Sequence, residues 1–366
     1  MRNGITRIER VEDYREFEDI IDVRTPAEFA DDHIPGAINC PVLDDAQRVE
    51  VGTLYKQVSP FAAKRIGAAY VAENVARHLR EQFSERPKHW RPLIVCWRGG
   101  ERSGAMTYIF RRVGWDAQQL EGGYKRYRQQ VIERLGNAPQ ALTFKVIGGA
   151  TGSGKSRILH ALARRGEQVL DLEDLACHKG SVLGVLPDCA QPSQKAFETR
   201  LLGALLAFDP ARPIYAEAES RRIGSVQLPD ALLERLRGAE FITIEATLAA
   251  RVDFLLADYD YFLRSPDWFN SRLDVLAKLQ SRETIARWQA YASAGQWRTL
   301  VVELLELHYD PLYRRSQKRN FVGFTAKVDA SGAPDVPDAS ETSNVHATDT
   351  LDAEAIDALA ARIAVS

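Results

Sequence analysis

The chain has 366 residues, of which 45% are apolar and 27% are charged, and its formal net charge is −2. This length allows two domains of ordinary size, and the composition is that of a globular protein. No apolar run approaches the roughly 18 residues needed to cross a bilayer, and residues 1–7 lack the apolar core of a secretion signal, so we expect a cytoplasmic protein with no membrane partner.

The distribution of charges and cysteines bears on the partners and metal sites that this protein could have. Residues 328–366 carry eight Asp or Glu and one Arg, so the remaining body is mildly basic and permits a polyanionic partner. The four cysteines form no C-x-x-C pair, which gives neither a disulfide framework nor recognisable zinc spacing. Cys177 and Cys189, with His178 between them, could in principle bind metal, but plain core or surface cysteines are expected, and we predict no metal site.

Residues 1–138 predict a first domain in which strands alternate with helices. Thr25 as N-cap, Pro26 at the first helical position and Glu28 three residues after Thr25 are typical of a helix start. Such alternation favours a parallel α/β sheet, in which ligands gather at the carboxyl ends of strands. The predicted strands and helices of this domain are 20–24, 61–83, 92–95, 102–113, 117–120 and 124–135.

Residues 139–327 predict a second α/β domain, with a mostly helical region at about 248–320. A β-branched strand at 143–147 runs into a glycine loop and a helix at 156–165, and further strands are predicted at 168–172, 213–218 and 241–246. The acidic tail, 328–366, is rich in Ala, Ser, Thr, Asp and Pro, which predicts a flexible segment with a short amphipathic helix at 351–364.

The segment Cys96–Ser103 follows a short buried strand and precedes a helix. Amides at a helix N-terminus, together with Arg98 and Arg102, stabilise a thiolate, so Cys96 is predicted to be a nucleophile. Gly99 and Gly100 allow successive N–H groups to turn inward. A core cysteine beside a tight turn is the alternative.

Four blocks, 21–29, 33–39, the Cys96 loop and 121–124, together resemble a rhodanese domain over about residues 5–135. The resemblance implies that Cys96 carries a chalcogen as a persulfide or perselenide. The loop is one residue longer than in common sulfurtransferases and resembles the phosphate cradle of tyrosine phosphatases and rhodanese-like phosphatases. A wider ring could hold phosphate, a larger chalcogen or a selenophosphate group, and loop length alone does not choose among them.

The segment Gly149–Ser156 matches the full P-loop pattern, with a strand before it and a helix after it. Its amides would hold a diphosphate, Lys155 would neutralise the charge and Ser156 could ligate Mg²⁺. The motif predicts a site for phosphate oxygens without establishing ATP hydrolysis. The predicted phosphate-binding residues are Gly149, Thr151, Gly152, Ser153, Gly154, Lys155 and Ser156.

Carboxylates at strand ends are secondary candidates for ordering Mg²⁺ or a water. Glu217 and Glu219 end one predicted strand and are followed by Arg221, and Asp171 ends another. Solubilising residues at strand ends are the alternative.

Basic and aromatic residues occur together in 124–128 and 309–315, a pattern that suits RNA because arginine binds phosphate and tyrosine stacks on unpaired bases. Either segment alone also suits a solvated helix face. The RNA-binding candidates are Arg126, Arg128, Arg222, Arg314 and Arg315.

A rhodanese domain followed by a P-loop domain, with the segments 170–173, 178–181, 191–194 and 217–224, resembles the bacterial tRNA 2-selenouridine synthases over about residues 5–325. The resemblance implies that geranyl diphosphate first alkylates the sulfur of wobble 2-thiouridine in tRNA. Selenium from selenophosphate then displaces the S-geranyl group, with Cys96 handling selenium and Gly149–Ser156 binding diphosphate. It implies no tightly bound cofactor, and an enzyme that produces selenophosphate would be a partner.

Two other interpretations use the same motifs. One is a rhodanese-like phosphatase or sulfurtransferase fused to a nucleotide-binding P-loop domain, although Val95 stands where tyrosine phosphatases have histidine. The other is a regulatory module that senses nucleotide and oxidants. The sequence alone does not indicate whether a metal is required, which tRNAs are modified or which oligomeric state the protein has.

Overall fold

A computed structural model describes residues 4–313, 315 and 345–365. The chain divides into two compact units, Met1–Leu135 with Ser193–Leu202, and Gly136–Pro192 with Gly203–Ser366. The division lies close to the predicted boundary between residues 138 and 139. Ser193–Leu202 belongs to the N-terminal unit, which the sequence pattern does not indicate.

The N-terminal unit is built on a parallel sheet of five strands: β1 (Ile5–Thr6), β2 (Asp19–Asp22), β3 (Ala37–Asn39), β4 (Pro92–Val95) and β5 (Gln118–Leu120). The strand order is β1-β5-β4-β2-β3, and every pairing is parallel. All four residues of β4 are buried, as expected of a central strand covered on both faces. This position puts the residue after β4 at the middle of the carboxyl edge.

Four helices connect these strands, α1 (Pro26–Asp31), α2 (Asp45–Gln57), α3 (Pro60–His78) and α4 (Glu101–Val113), and α5 (Gly123–Asn137) follows β5. The predicted start of α1 is observed, because Thr25 Oγ1 accepts from the N–H of Glu28 and the Glu28 carboxylate accepts from the N–H of Thr25. A π-helical turn, Leu79–Phe83, prolongs α3. Buried aromatic side chains fill the space between helices and sheet: Phe83, Trp90, Phe110 and Trp115.

The second unit contains another five-stranded parallel sheet: β6 (Phe144–Gly149), β7 (Gln168–Leu170), β8 (Ile214–Glu217), β11 (Glu240–Ala246) and β12 (Val345–Thr348). The order is β12-β11-β6-β8-β7, so β6 is central. An antiparallel ribbon joins β9 (Arg222–Ile223) to β10 (Val226–Gln227). The predicted α/β class with two parallel sheets is confirmed.

Helices α6 to α9 are Lys155–Arg164, Leu172–Ala176, Gln194–Ala207 and Asp230–Arg237. Helices α10 to α14 are Leu248–Asp258, Asp260–Arg264, Pro266–Leu273, Arg282–Ser293 and Trp297–Leu304, followed by a π-helical turn at Leu305–Tyr309. These later helices have their own apolar core, which includes Phe262, Phe269 and Trp288. None of the helices within the described ranges is long and apolar enough to cross a membrane.

The predicted short helix at 351–364 is observed at Ala353–Val365, whereas the expected flexibility of the 328–366 tail is wrong for the strand Val345–Thr348. Strand β12 pairs with β11, and helix α15 (Ala353–Val365) packs on α6 with Ile356, Leu359 and Ile363 in the core of the unit. These apolar residues recur at the spacing of one helix face, which is the amphipathic pattern that predicted the helix. Residues 328–344 and 366 lie outside the described residues.

The cysteines also differ from expectation. Cys177 and Cys189 are joined in a disulfide, with their Cα atoms 5.7 Å apart. The sequence did not predict this pair because their 12-residue separation matches no recognised framework. Cys40 and Cys96 are free and buried.

Candidate functional sites

Cys96 lies directly after the central strand β4, where its sulfur faces the start of α4. The Sγ atom accepts a hydrogen bond from the N–H of Gly100 at 3.3 Å and lies 3.0 Å from Ser103 Oγ. An amide and a hydroxyl thus contact the sulfur at the carboxyl edge of the sheet, where parallel folds bind ligands.

Two glycines allow this loop to close. Gly99 has φ of +66°, and a Cβ there would lie 2.3 Å from the carbonyl oxygen of Leu120. Gly123 has φ of +59°, and its Cβ would lie 2.2 Å from the carbonyl oxygen of Cys96. Because α5 begins directly against the loop backbone, only a residue without a side chain fits at Gly123.

Gln119 on β5 holds the backbone of the cysteine loop by hydrogen bonds. Its Nε2 donates to the carbonyl oxygens of Gly99 (2.7 Å) and Gly100 (3.0 Å) and to Ser103 Oγ (3.0 Å). In a trans peptide the carbonyl and the following N–H point in opposite directions, so this contact turns the Gly100 N–H towards Cys96. Sequence reasoning missed Gln119, because no local motif marks it.

Arg102 is held by an acidic residue from another element. Its guanidinium donates to both carboxylate oxygens of Glu28, at 2.6 and 3.2 Å. Burial acts to raise the pKa of Glu28, but the hydrogen bonds and charge of Arg102 outweigh it, so the pKa lies below its ordinary value. Arg102 is therefore a fixed part of the loop wall.

An open cavity of about 450 Å³ lies above the cysteine. Its lining includes the predicted residues Cys96, Arg98 and Arg102, together with Arg48 from α2, which the sequence did not single out. Arg48 and Arg98 are both exposed. The same cavity is also lined by one carboxylate, Glu101, so three arginines outnumber the acidic side chains around the sulfur. A lining with this excess of positive charge suits an anionic substrate.

A buried ion pair holds the neighbouring strand end. Asp22 and Arg24 are each 1% exposed, and Arg24 Nη2 lies 2.6 Å from Asp22 Oδ2. The Arg24 guanidinium also lies 3.9 Å from the ring centroid of Tyr124, whose hydroxyl donates to Asp32. These contacts tie β2, α1 and the start of α5 together beside the cysteine loop.

The predicted phosphate loop lies between the central strand β6 and α6. Gly152 and Gly154 have φ of +81° and +77°, and Lys155 Nζ donates to the carbonyl oxygen of Gly149 at 2.9 Å. The loop residues that line its cavity are Gly149, Thr151, Gly152, Gly154, Lys155 and Ser156. Ser153 is instead buried beneath the loop, and its Oγ has no hydrogen-bond partner among the described residues.

Arg251 on α10 supports this loop from one side. It is 6% exposed, donates to the carbonyl oxygen of Thr151 at 2.8 Å and forms an ion pair with Asp310. Leu351, from the C-terminal segment, would lie 3.2 Å from a Cβ at Gly154. The loop is thus supported by residues far from it in sequence, which sequence reasoning missed.

Two carboxylates line the cavity with Lys155. Glu173 accepts a hydrogen bond from Ser156 Oγ at 2.8 Å, and Glu219 lies near it across Gly180. Burial, then the charge of Glu173, raises the pKa of Glu219 to about 8, and burial also raises the pKa of Glu173. Burial lowers the pKa of Lys155. Burial thus disfavours the charged form of all three groups.

The other secondary candidates lie outside this cavity. Glu217 is 1% exposed and accepts from the N–H groups of Leu172 and Glu173, so it anchors the start of α7. Burial, reinforced by Asp171, raises the pKa of Glu217 well above its ordinary value. Asp171 caps α7 and contacts His160, and Arg221 forms an exposed ion pair with Asp230.

A second cavity, almost entirely apolar, adjoins the phosphate-loop cavity. Five residues line both cavities: Thr151, Ser181, Leu255, Tyr259 and Tyr309. The apolar cavity continues between the later helices, where its lining includes Phe262, Phe269, Trp297, Leu300, Leu304 and Leu305. The sequence predicted only that the region at about 248–320 is mostly helical. The structure shows which residues of this region line one cavity.

The RNA-binding candidates have different surroundings. Arg126 contacts Glu9 and the carbonyl oxygen of Ile8, and Arg128 forms an ion pair with Glu198. Arg222 and Arg315 are exposed, and Arg314 lies outside the described residues. Their role in RNA binding stays a prediction, with Arg126 and Arg128 engaged in contacts within the N-terminal unit.

These two sites define a rhodanese-like unit joined in one chain to a P-loop unit. A family model described as a rhodanese-like domain matches residues 8–130, and one described as the tRNA 2-selenouridine synthase AAA domain matches residues 142–266. Relatives named tRNA 2-selenouridine synthase match both parts. The chain belongs to the tRNA 2-selenouridine synthase family.

Three such relatives illustrate the similarity. The protein from Nitrosomonas europaea is 39% identical over 244 residues, which are 66% of this chain and 63% of that protein. The relative from Verminephrobacter eiseniae is 33% identical over 324 residues, covering 80% of this chain and 87% of that protein. The relative from Cronobacter sakazakii is 33% identical over 357 residues, covering 85% and 91%. The match spans less than two thirds of the Nitrosomonas europaea protein.

Proposed function

We propose that this protein replaces the sulfur of wobble 2-thiouridine in tRNA by selenium, in two stages. In the first, the sulfur attacks C1 of geranyl diphosphate, the C–O bond breaks and diphosphate leaves with the electron pair, while the uridine loses its N3 proton. In the second, a selenium nucleophile derived from selenophosphate adds to C2, and the C–S bond breaks to release geranyl thiolate. Alkylation is needed because it turns the sulfur into a leaving group.

The observation that carries this proposal is the apolar cavity that adjoins the phosphate loop. Geranyl diphosphate has a dianionic or trianionic head and a ten-carbon apolar chain. Its binding site therefore needs a polar part that holds the diphosphate and an adjoining apolar part that holds the chain. Thr151 and Tyr259 line both cavities, where head and chain would meet. Burial of an apolar chain contributes about 0.8 kcal/mol per methylene group before ordering costs.

The phosphate loop supports the first stage without nucleotide hydrolysis. Negative charge develops on the diphosphate as the C–O bond breaks, and loop amides with Lys155 would stabilise that charge more than they stabilise the bound ester. Lys155 now donates to the carbonyl oxygen of Gly149, so its ammonium lies at the loop and needs only to exchange this acceptor for a phosphate oxygen.

The oxygen donors beside Lys155 also fit Mg²⁺. The Ser156 hydroxyl and the Glu173 carboxylate are hydrogen-bonded to each other, and Glu219 lies on the same cavity wall, a set of hard oxygen ligands. These residues would hold the ion, which would supply positive charge to the departing diphosphate.

The second stage is assigned to Cys96 and the cationic cavity above it. Selenophosphate is a small anion, and Arg48 and Arg98 are exposed at that cavity. An enzyme that produces selenophosphate would supply this substrate, and tRNA bearing 2-thiouridine would be the macromolecular partner.

Binding measurements test the amphipathic site directly. Trp297 lines the apolar cavity, so its fluorescence provides a signal for chain binding. We expect geranyl diphosphate to bind the full chain on the order of 10²-fold more tightly than inorganic diphosphate, because only the former fills both cavities. Equal affinities for the two ligands would contradict the proposed site.

A further inference from the structure

The loop around Cys96 has the shape of a bowl with a sulfur atom at its floor. Five residues separate Cys96 from Arg102, and Gly100 donates its N–H to the sulfur. Arg102 is fixed by Glu28, while Arg48 and Arg98 line the open cavity above. A bowl of this kind matches a tetrahedral anion with three oxygens better than a single chalcogen atom, which has no oxygens for the cations to bind.

The oxidation states of sulfur and selenium also favour the binding of a tetrahedral anion over the transfer of selenium to Cys96. The sulfur of a cysteine thiolate and the selenium of selenophosphate are both fully reduced, so an S–Se bond between them forms only if two electrons are removed. The N-terminal unit contains one other cysteine, Cys40, which is free and buried. Burial, then the charge of Asp22, raises the pKa of its thiol to about 12. Cys40 therefore offers Cys96 no disulfide and no reactive partner.

We propose, on the basis of the function proposed above, that Cys96 attacks the phosphorus of selenophosphate and does not take the selenium. The S–P bond forms as the P–Se bond breaks, and selenium leaves with the electron pair as hydrogen selenide. Water then attacks phosphorus, the S–P bond breaks and inorganic phosphate departs, restoring the thiol. Hydrogen selenide adds to C2 of the S-geranylated uridine, its proton passes to N3, and geranyl thiolate leaves. No oxidant is consumed.

Ser103 serves the second of these steps. Its Oγ lies 3.0 Å from Cys96 Sγ and is held by the Gln119 amide. When water cleaves the S–P bond, negative charge returns to the sulfur, and a hydroxyl at this distance donates a hydrogen bond to it. Removal of this hydroxyl slows hydrolysis of the phosphoryl-cysteine and lets it accumulate.

The test uses the full chain with selenophosphate labelled either with ³²P or with ⁷⁵Se, without air, stopped in alkaline detergent, in which an S–P bond persists. The ³²P label is expected on the peptide containing Cys96, with more in Ser103→Ala, none in Cys96→Ser and an unchanged amount in the control Cys40→Ser. The inference is overturned if Cys96 carries the selenium label without phosphorus. It is also overturned if none of these proteins carries the phosphorus label.

The same preparations are assayed for geranylation of thiolated tRNA, which separates this inference from the proposed function. Geranylated and selenated tRNA without a phosphoryl-cysteine would refute only the attack on phosphorus. A phosphoryl-cysteine in a protein that never geranylates tRNA supports the attack on phosphorus and contradicts the proposed two-stage function.

Discussion

Arg102 donates two hydrogen bonds to Glu28, the residue that also completes the N-terminal cap of α1. One carboxylate therefore stabilises a helix end and fixes an arginine of the cysteine loop. Because Glu28 lies 74 residues before Arg102 in sequence, the contact connects α1 to the distant cysteine loop.

The Glu28–Arg102 pair predicts an acid-dependent loss of stability. The pKa of Glu28 is lowered in the folded protein from its ordinary value of 4.5, so its stabilising effect is complete above 4.5 and disappears as the pH falls through the lower folded value. Glu28→Gln keeps a capping side chain but loses the charge, which we expect to cost about 1 kcal/mol at neutral pH. Thermal unfolding across this range should show a shallower acid decline in Glu28→Gln, and identical profiles would contradict the assignment.

Substitution of Gly123 tests whether the close contact between α5 and the cysteine loop is needed for stability and selenation. In Gly123→Ala the methyl group would meet the carbonyl oxygen of Cys96 at 2.2 Å with an unfavourable positive φ, so we expect a loss of about 2 kcal/mol or more and of selenation. Gly136→Ala, on the same helix with nothing within 4 Å, is the matched control and should be neutral or stabilising. Denaturant unfolding with selenation assays distinguishes them, and equal behaviour of the two variants would show that the contact is unimportant.

Glu219 predicts the pH dependence of diphosphate binding. Its pKa is raised to about 8, so the side chain is neutral below that pH and becomes a carboxylate above it. Without Mg²⁺ we expect the affinity for inorganic diphosphate to fall as the pH rises through about 8, since the new charge repels the ligand. Calorimetric titration should show a weaker dependence in Glu219→Gln. If the variant loses affinity as steeply as the wild type, another group is responsible.

Neighbouring valines on α14 test the apolar cavity. Val301 lines it and Val302 does not, although both are half-buried. Val301→Trp should fill the cavity and raise the KM for geranyl diphosphate at least about tenfold, while binding of inorganic diphosphate stays unchanged. Val302→Trp is the control for overpacking, and kinetic measurements on both variants decide. An equal rise in KM for the two would mean that the effect does not come from the cavity.

The cysteine loop and the phosphate loop could be predicted because each is encoded in one continuous segment. Cys96–Ser103 and Gly149–Ser156 both follow a buried strand and precede a helix, so local pattern alone places them at a sheet edge. Their supports could not be predicted in this way. Gln119 and Arg251 contact these loops from other elements, and only the folded chain brings them together.

The C-terminal segment shows a different limit of prediction. Composition indicated flexibility for 328–366 apart from a short helix at 351–364, yet residues 345–348 form an edge strand and the helix belongs to the core of its unit. A strand of four residues carries almost no periodic signal, so β12 could not be predicted. The apolar cavity was also beyond prediction, because many residues between 248 and 307 are apolar and only packing selects those that line it.

The most direct measurement is mass spectrometry of nucleosides from thiolated tRNA incubated with the protein, first with geranyl diphosphate and then with selenophosphate. The wild type should yield the S-geranyl nucleoside in the first step and 2-selenouridine in the second. Cys96→Ser should stop after the first step, and Lys155→Ala should fail at it. Formation of 2-selenouridine without geranyl diphosphate, or loss of both steps in a folded Cys96→Ser protein, would contradict the two-stage account.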